Sequence, residues 1–263
     1  MRVVDLDRDM RDVIPLSVSP DSEYLFEAMT RQTLDLTGAA PGRSVLDVAS
    51  GVGQDARALC ARGALAVAAE PSARMLALAR LKDGEDVEAG HAPPRHVRGW
   101  ADALPFATGG FDAVYCKGAL DHFDTPERAI AEMARVTRSD GRVVLAIANF
   151  ESLACRLARA AERLRVLCGG APRRGRRPYD VPHDHFTRYE IGLMREQAAA
   201  HLELDRVVGV SLLWGIGAWS RALARLPRSL ADRLLAALDA VARRWPGGAD
   251  VVVLCGRPRR DPA

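Results

Sequence analysis

The segment Ser44-Val-Leu-Asp-Val-Ala-Ser-Gly-Val-Gly-Gln-Asp55 constrains what this chain can fold into more than any other. A β-branched apolar run ends in a carboxylate and a small-residue loop, and a helical pattern follows. Strand, tight turn and helix N-terminus in that order make a backbone cradle for a small ligand. Gly51 and Gly53 let such a ligand reach the main chain with no Cβ in the way. Asp47 sets a negative charge beside the cradle, which suits a cationic ligand and opposes a pyrophosphate.

The loop alone leaves the ligand open. Gly51-Val-Gly53-Gln-Asp-Ala56 also satisfies the dinucleotide pattern G-x-G-x-x-A, and Glu70 stands about twenty residues on, as an NAD site requires. The rest of the chain alternates strand and helix. Apolar runs read as strands at 44–49, 65–70, 95–99, 111–117, 142–148, 202–210 and 250–255. Helical patterns cover 20–37, 54–62, a stretch capped by Pro71-Ser72, and one opened by Thr125-Pro126-Glu127 with Ile130, Met133 and Val136 inward. Ser139-Asp-Gly141 is expected to end that last helix. Thr187-Arg-Tyr-Glu190 fits a capping box for a helix running to about Ala200. Leu230, Leu234, Leu238 and Val241 fall in register on an amphipathic helix, as do Leu153, Leu157, Leu164 and Leu167 on an arginine-rich one. Such β-α alternation calls for a largely parallel sheet with helices on both faces.

Composition excludes several classes. With 263 residues the chain can bury one large α/β core. Its 37 basic and 34 acidic residues leave +3, too little to argue for nucleic acid. The five cysteines are widely spaced with no CxxC pair, against a metal or disulfide framework and in favour of a reducing, cytoplasmic setting. His183-x-His185 offers two imidazoles with no third ligand evident in sequence, so no metal is expected. The N-terminus lacks an apolar signal core, and nowhere is there the uninterrupted apolar run of about 20 residues that a membrane span needs.

Several motifs in order give the chain a family. Leu46-Asp-Val-Ala-Ser-Gly-Val-Gly53, Glu70 with Pro71-Ser-Ala-Arg-Met75, Ala103-Leu-Pro-Phe106 with Gly110-Phe-Asp112, and Leu120-Asp-His-Phe123 together resemble the class I methyltransferases that use S-adenosylmethionine. The resemblance is to the small-molecule branch sometimes called type 11, and it is clearest over 44–148. It implies a Rossmann-like α/β sheet of seven strands in the order 3-2-1-4-5-7-6, the last antiparallel. The chain would be a single domain, 1–263. Its parts would be a helical N-terminal cover (1–43), a cofactor core (44–148) and helical insertions at 150–186 and 212–247 over the substrate cleft.

The resemblance also implies site residues. The cofactor would lie on Asp47, Ala49, Ser50, Gly51 and Gly53, its ribose on Glu70, with Pro71, Met75 and Lys117 nearby. Its adenine would sit by Trp100, Ala101 and Asp102. Ala49 stands where the family's first motif has its first glycine, and Trp100 where an aspartate usually meets adenine. Asp102 could substitute for that acid, or Trp100 could stack on the ring. His122 falls where a histidine often faces the substrate, and is the expected base, with Asp121 or Tyr189 as lesser partners. Asp47 and the later motifs speak against NAD. The acceptor is expected to be small and hydrophobic. A non-catalytic cofactor-binding protein and an RNA methyltransferase, the latter through Arg173, Arg174, Arg176 and Arg177, stand as alternatives.

Overall fold

A computed structural model describes residues 19–88, 92–172, 177–182 and 185–259. Seven strands form one sheet: β1 (Ser44–Val48), β2 (Leu65–Glu70), β3 (Arg95–Arg98), β4 (Phe111–Lys117), β5 (Thr137–Ala148), β6 (Leu202–Val210) and β7 (Val251–Pro258). Their order is β3-β2-β1-β4-β5-β7-β6. Pairings from β3 to β5 are parallel, whereas β7 runs antiparallel to both β5 and β6. The architecture is the expected one. Because β1, β2, β4 and β5 are parallel, the loops after them gather at one sheet edge. The order also reverses between β1 and β4, the place where open α/β sheets bind ligands.

Alternation along the strands builds two cores. On one face Val45, Ala113, Tyr115, Val144 and Val253 pack against Leu25, Ala28 and Leu34 of α1 (Pro20–Thr37) and against Leu59 of α2 (Gln54–Ala61). On the other, Leu46, Val48, Val114 and Leu145 meet Ile130 and Met133 of α4 (Pro126–Val136) and Met194 of α6 (Ile191–Ala199). Between α2 and α4 in the chain lies α3 (Ala73–Glu88), and α5 (Leu153–Leu167) follows β5. In β1 the period of two puts Asp47 on the α1 face, beside its cross-strand partner Tyr115.

Three sequence expectations shift. Helix α4 ends at Val136, and β5 starts at Thr137, five residues before the expected strand. The Thr137 hydroxyl donates to the Met133 carbonyl at 2.6 Å, closing the helix before Ser139-Asp-Gly141 is reached. The capping box at Thr187–Glu190 does not form, and α6 starts at Ile191 with no side-chain cap. Arg188 instead donates to Glu151 Oε1 (2.6 Å) and the Phe150 carbonyl (3.1 Å), and Phe150 N–H donates to the Tyr189 carbonyl, so 187–190 is held along the end of β5. Of the two last helices, α7 (Gly217–Leu223) is short, and α8 (Arg228–Arg244) buries Ala231, Leu235 and Ala242. Its Leu230, Leu234 and Val241 face solvent, the reverse of what the leucine register suggests.

The close seating of α8 explains its inner face of small residues. A Cβ at Gly209 of β6 would stand 2.3 Å from the Ala242 carbonyl oxygen and 2.7 Å from the Ala249 Cβ. Neither backbone nor buried alanine can rotate away. Gly209→Ala is therefore expected to cost about 1–3 kcal/mol of stability, the usual range for overpacking. Chemical denaturation of the two proteins measures it.

Candidate active site

The cradle after β1 has the geometry its residues require. Ala49, Gly51 and Gly53 all take left-handed backbone conformations, with φ of 59°, 54° and 72°. Ala49 therefore adopts a conformation that an L side chain resists by about 1 kcal/mol, at the position where the resemblance has glycine. Ser50 N–H donates to the Ala69 carbonyl and Gly53 N–H to that of Ser50. Glu70, buried at the end of β2, accepts from Gly51 N–H at 2.9 Å through one oxygen and from Ser72 N–H at 3.0 Å through the other. One carboxylate thus ties the first loop to the second. A Cβ built on Gly51 meets nothing within 4 Å, so the cradle opens outward at that residue.

Behind the loop sit charges. Asp47 is 4% exposed. Burial pushes its carboxyl well above the usual range, the neighbouring Asp55 adds to the shift, and Tyr115 and Lys117 oppose it. The Lys117 ammonium pairs with Asp55 and donates to the Thr30 hydroxyl of α1 at 2.6 Å. So Lys117 secures the start of α2 and docks α1, a role the sequence did not suggest. A buried carboxylate in such a place is favoured when a cation arrives.

The remaining predicted cofactor contacts border this loop. The Ser72 hydroxyl accepts from Met75 N–H at 3.1 Å and caps α3, which fixes Pro71 and the half-buried Met75 at the mouth of β2. Gly99 N–H donates to the Glu70 carbonyl, and Trp100 and Ala103 form a small antiparallel bridge enclosing Ala101 and Asp102. Asp102 accepts from the Thr125 hydroxyl at 3.2 Å. The Leu104-Pro-Phe106 run is pinned from α4. Glu132 accepts from Leu104 N–H, and Arg135 donates to the carbonyls of Leu104 and Phe106. The Arg135 hydrogen bond in turn holds the Glu132 carboxyl below its ordinary value.

On the far side of β4, Leu120–His122 forms one turn of 3-10 helix. His122 is 40% exposed and 3.9 Å from Asp121 Oδ1. The tighter partner is His185, 15% exposed, whose Nδ1 lies 2.8 Å from Asp121 Oδ2. The two imidazoles meet edge to face at 4.4 Å between centroids. Asp121, His122 and His185 each present a ligand atom within 4.8 Å of the others, close enough for a divalent cation to bridge, a grouping that sequence spacing could not reveal. His183 and the arginines at 173, 174 and 176 lie outside the described residues.

His185 also lines a cavity of about 330 Å³ at the end of β5, whose wall includes Phe150, Cys155, Pro178, Trp214 and Asp250. Burial raises the Asp250 carboxyl to about 7, although it accepts from Trp214 N–H at 2.9 Å.

Comparison with known proteins agrees with this geometry. A family model described as a methyltransferase domain matches residues 46–145. The malonyl-[acyl-carrier protein] O-methyltransferase of Pectobacterium atrosepticum is 32% identical over 216 residues, 82% of this chain and 80% of that protein. The chain belongs to the class I S-adenosylmethionine-dependent methyltransferases. The demethylmenaquinone methyltransferase of Renibacterium salmoninarum is 37% identical over 116 residues, 44% of this chain. That match spans less than half, 46%, of the Renibacterium protein. The structure of the PH0226 protein from Pyrococcus horikoshii shares the fold, with a TM-score of 0.61 at 16% identity over 96% of this chain and 99% of that one.

The methyltransferase's cradle fits the family's cofactor. An acceptor-rich carboxylate such as Glu70 can hold a diol in forked geometry while still binding the loop, since it offers about four acceptor sites. The open face of Gly51 admits a ligand, and Asp47 supplies charge opposite to that of a sulfonium and an ammonium.

Asp250 gives the methyltransferase a pH signature. Its folded pKa is near 7 against an ordinary value of 3.8, so the folded protein binds more protons than the unfolded chain between about pH 4 and 7. Stability should fall as pH rises through that window and level off above it. In Asp250→Asn that downward slope is expected to flatten, as seen by denaturant titrations at pH 5, 6, 7 and 8.

Proposed function

We propose that this methyltransferase moves the methyl group of S-adenosylmethionine to a small hydrophobic acceptor held in the cavity at the end of β5. The observation that carries the reading is the position of Asp121 and His185. Asp121 follows β4, which flanks the cradle, and His185 lines the cavity. The pair therefore stands where a cofactor site and an acceptor site would adjoin.

S-adenosylmethionine, when bound, supplies an electrophilic methyl on a positively charged sulfur. The protein's part is alignment, since two reactants held in line gain most of what catalysis requires here. Asp47 and the 49–53 loop would hold the amino-acid end, Glu70 the ribose, and the Trp100–Asp102 turn the adenine. Phe150 and Trp214 would seat the acceptor and keep water out. For an acceptor that must lose a proton, His185 takes the role we would otherwise give to His122. Its Nδ1 stands 2.8 Å from Asp121 Oδ2, so that carboxylate would favour the imidazolium formed when Nε2, on the opposite edge, takes the proton. The more exposed His122 packs against that ring and positions it.

The relatives' names, demethylmenaquinone and malonyl-[acyl-carrier protein], describe two dissimilar acceptors. The cavity sets Phe150, Pro178 and Trp214 beside the polar Asn149, Ser152, Arg177 and Asp250, a lining that favours a ring or acyl compound carrying a polar group. The test is transfer of labelled methyl to a panel of lipophilic phenols, quinols and acyl compounds. His185→Ala should lower kcat by about 10²–10⁴, the usual contribution of a general base, with cofactor affinity unchanged. His122→Ala should lose less. Turnover confined to RNA or peptide, or an unimpaired His185→Ala, would refute the proposal.

A further inference from the structure

Two helices leave apolar sides facing solvent. Leu157, Ala160, Ala161 and Leu164 of α5 fall at i, i+3, i+4 and i+7, one side of the helix, and all four are exposed, Leu164 by 63%. No other helix or strand packs extensively along α5 among the described residues. Helix α8, although seated on β6, also leaves Leu230, Leu234 and Val241 exposed along one side, continued by Trp245 just beyond the helix. The two helices share one small core at the base of α5. Leu153, the first residue of α5, and Leu238 of α8 pack on the same small core of Leu212, Ala242 and Ala249.

Charge identifies the occupant. Helices α5 and α8 together carry eight arginines, at 156, 159, 163, 165, 228, 233, 243 and 244. Against them stand Glu162, Asp232 and Asp239 on the same helices. Ion pairs engage Arg243 with Asp239, Arg228 with Glu23 and Asp232, and Arg156 and Arg159 with Glu151, which leaves the exposed Arg163, Arg165, Arg233 and Arg244 to face an anionic surface. Arginines flanking an exposed leucine stripe are the pattern of a helix lying in the headgroup layer of an anionic membrane. Each basic residue near such a surface adds attraction, whereas a second copy of this face would bring like charges together. No helix among the described residues is long and apolar enough to cross a membrane, so contact would be at the surface.

We propose that α5 and α8 form a docking face for anionic lipid bilayers. The acceptor cavity lies at the anchored ends of these helices, since Cys155 of α5 and Asp250, shortly after α8, both line it. Docking would thus bring the cavity's rim toward the lipid, from which a hydrophobic acceptor could enter. Lipid binding itself needs neither cofactor nor turnover, so its failure is distinguishable from failure of the catalytic reading.

Co-sedimentation of the full chain with phosphatidylcholine vesicles, with and without phosphatidylglycerol, tests the proposal. Binding is expected only to the anionic vesicles, to weaken with added salt, and to drop at least tenfold in Leu157→Ser/Leu164→Ser and in Arg163→Glu/Arg165→Glu. These side chains are exposed, so unchanged melting temperatures will show that the variants fold. No binding to anionic vesicles at low salt overturns the proposal, as does binding indifferent to both variants. A dimer in light scattering that the leucine variant dissociates would also overturn it, by assigning the face to a second copy.

Discussion

The glycine cradle at the end of β1 depends on a carboxylate buried where no carboxylate is comfortable. Asp47 sits in the central strand with apolar residues on either side, close to Asp55 and Glu70. Alone, such a cluster resists ionisation, and burial raises the Asp47 carboxyl accordingly. The fold relieves part of the strain by giving Asp55 to Lys117 and Glu70 to two backbone N–H groups. What remains is one acid in need of a positive partner, at the mouth of a glycine loop. That need ranks a sulfonium and ammonium ligand above a pyrophosphate.

The same arrangement ties distant elements together. Lys117 reaches both the start of α2 and Thr30 of α1, so the helix over one sheet face is coupled to the strand that flanks the cradle. Glu70 joins the ends of β1 and β2, and the Arg135–Glu132 pair on α4 pins the loop that follows Trp100. The loops around the cradle therefore rest on side chains that belong to packed helices and strands. A cradle held this way arrives largely preorganised for its ligand.

Much of this was legible in the chain. The Asp47 loop and Glu70 show in local patterns, because a strand that ends in a tight turn shows its chemistry within a dozen residues, whereas the order of strands in the sheet follows only from the family resemblance. His185 was not legible. It is 64 positions from Asp121 in the chain, and the N–H groups of Phe186 and Thr187, which donate to the Asp121 carbonyl, together with Arg188 on Glu151, bring it back beside the end of β4. The leucine stripe of α8 misled for another reason. Periodicity reports which residues share a side, not which side is buried, and here the close approach at Gly209 selects Ala231, Leu235 and Ala242. Lys117, expected near the cofactor, is held by Thr30 and Asp55, which come from two helices that no local pattern connects.

Asp47 is expected to select the cofactor by charge. Calorimetric titration of S-adenosylmethionine into the wild-type protein and Asp47→Asn, from pH 5 to 8, tests it most directly. A cation favours the ionised acid, so binding should expel a proton and wild-type affinity should rise with pH. Asp47→Asn should bind at least tenfold more weakly at pH 8, with that pH dependence reduced. Equal affinities, flat across the range, would show that the Asp47 charge takes no part in binding.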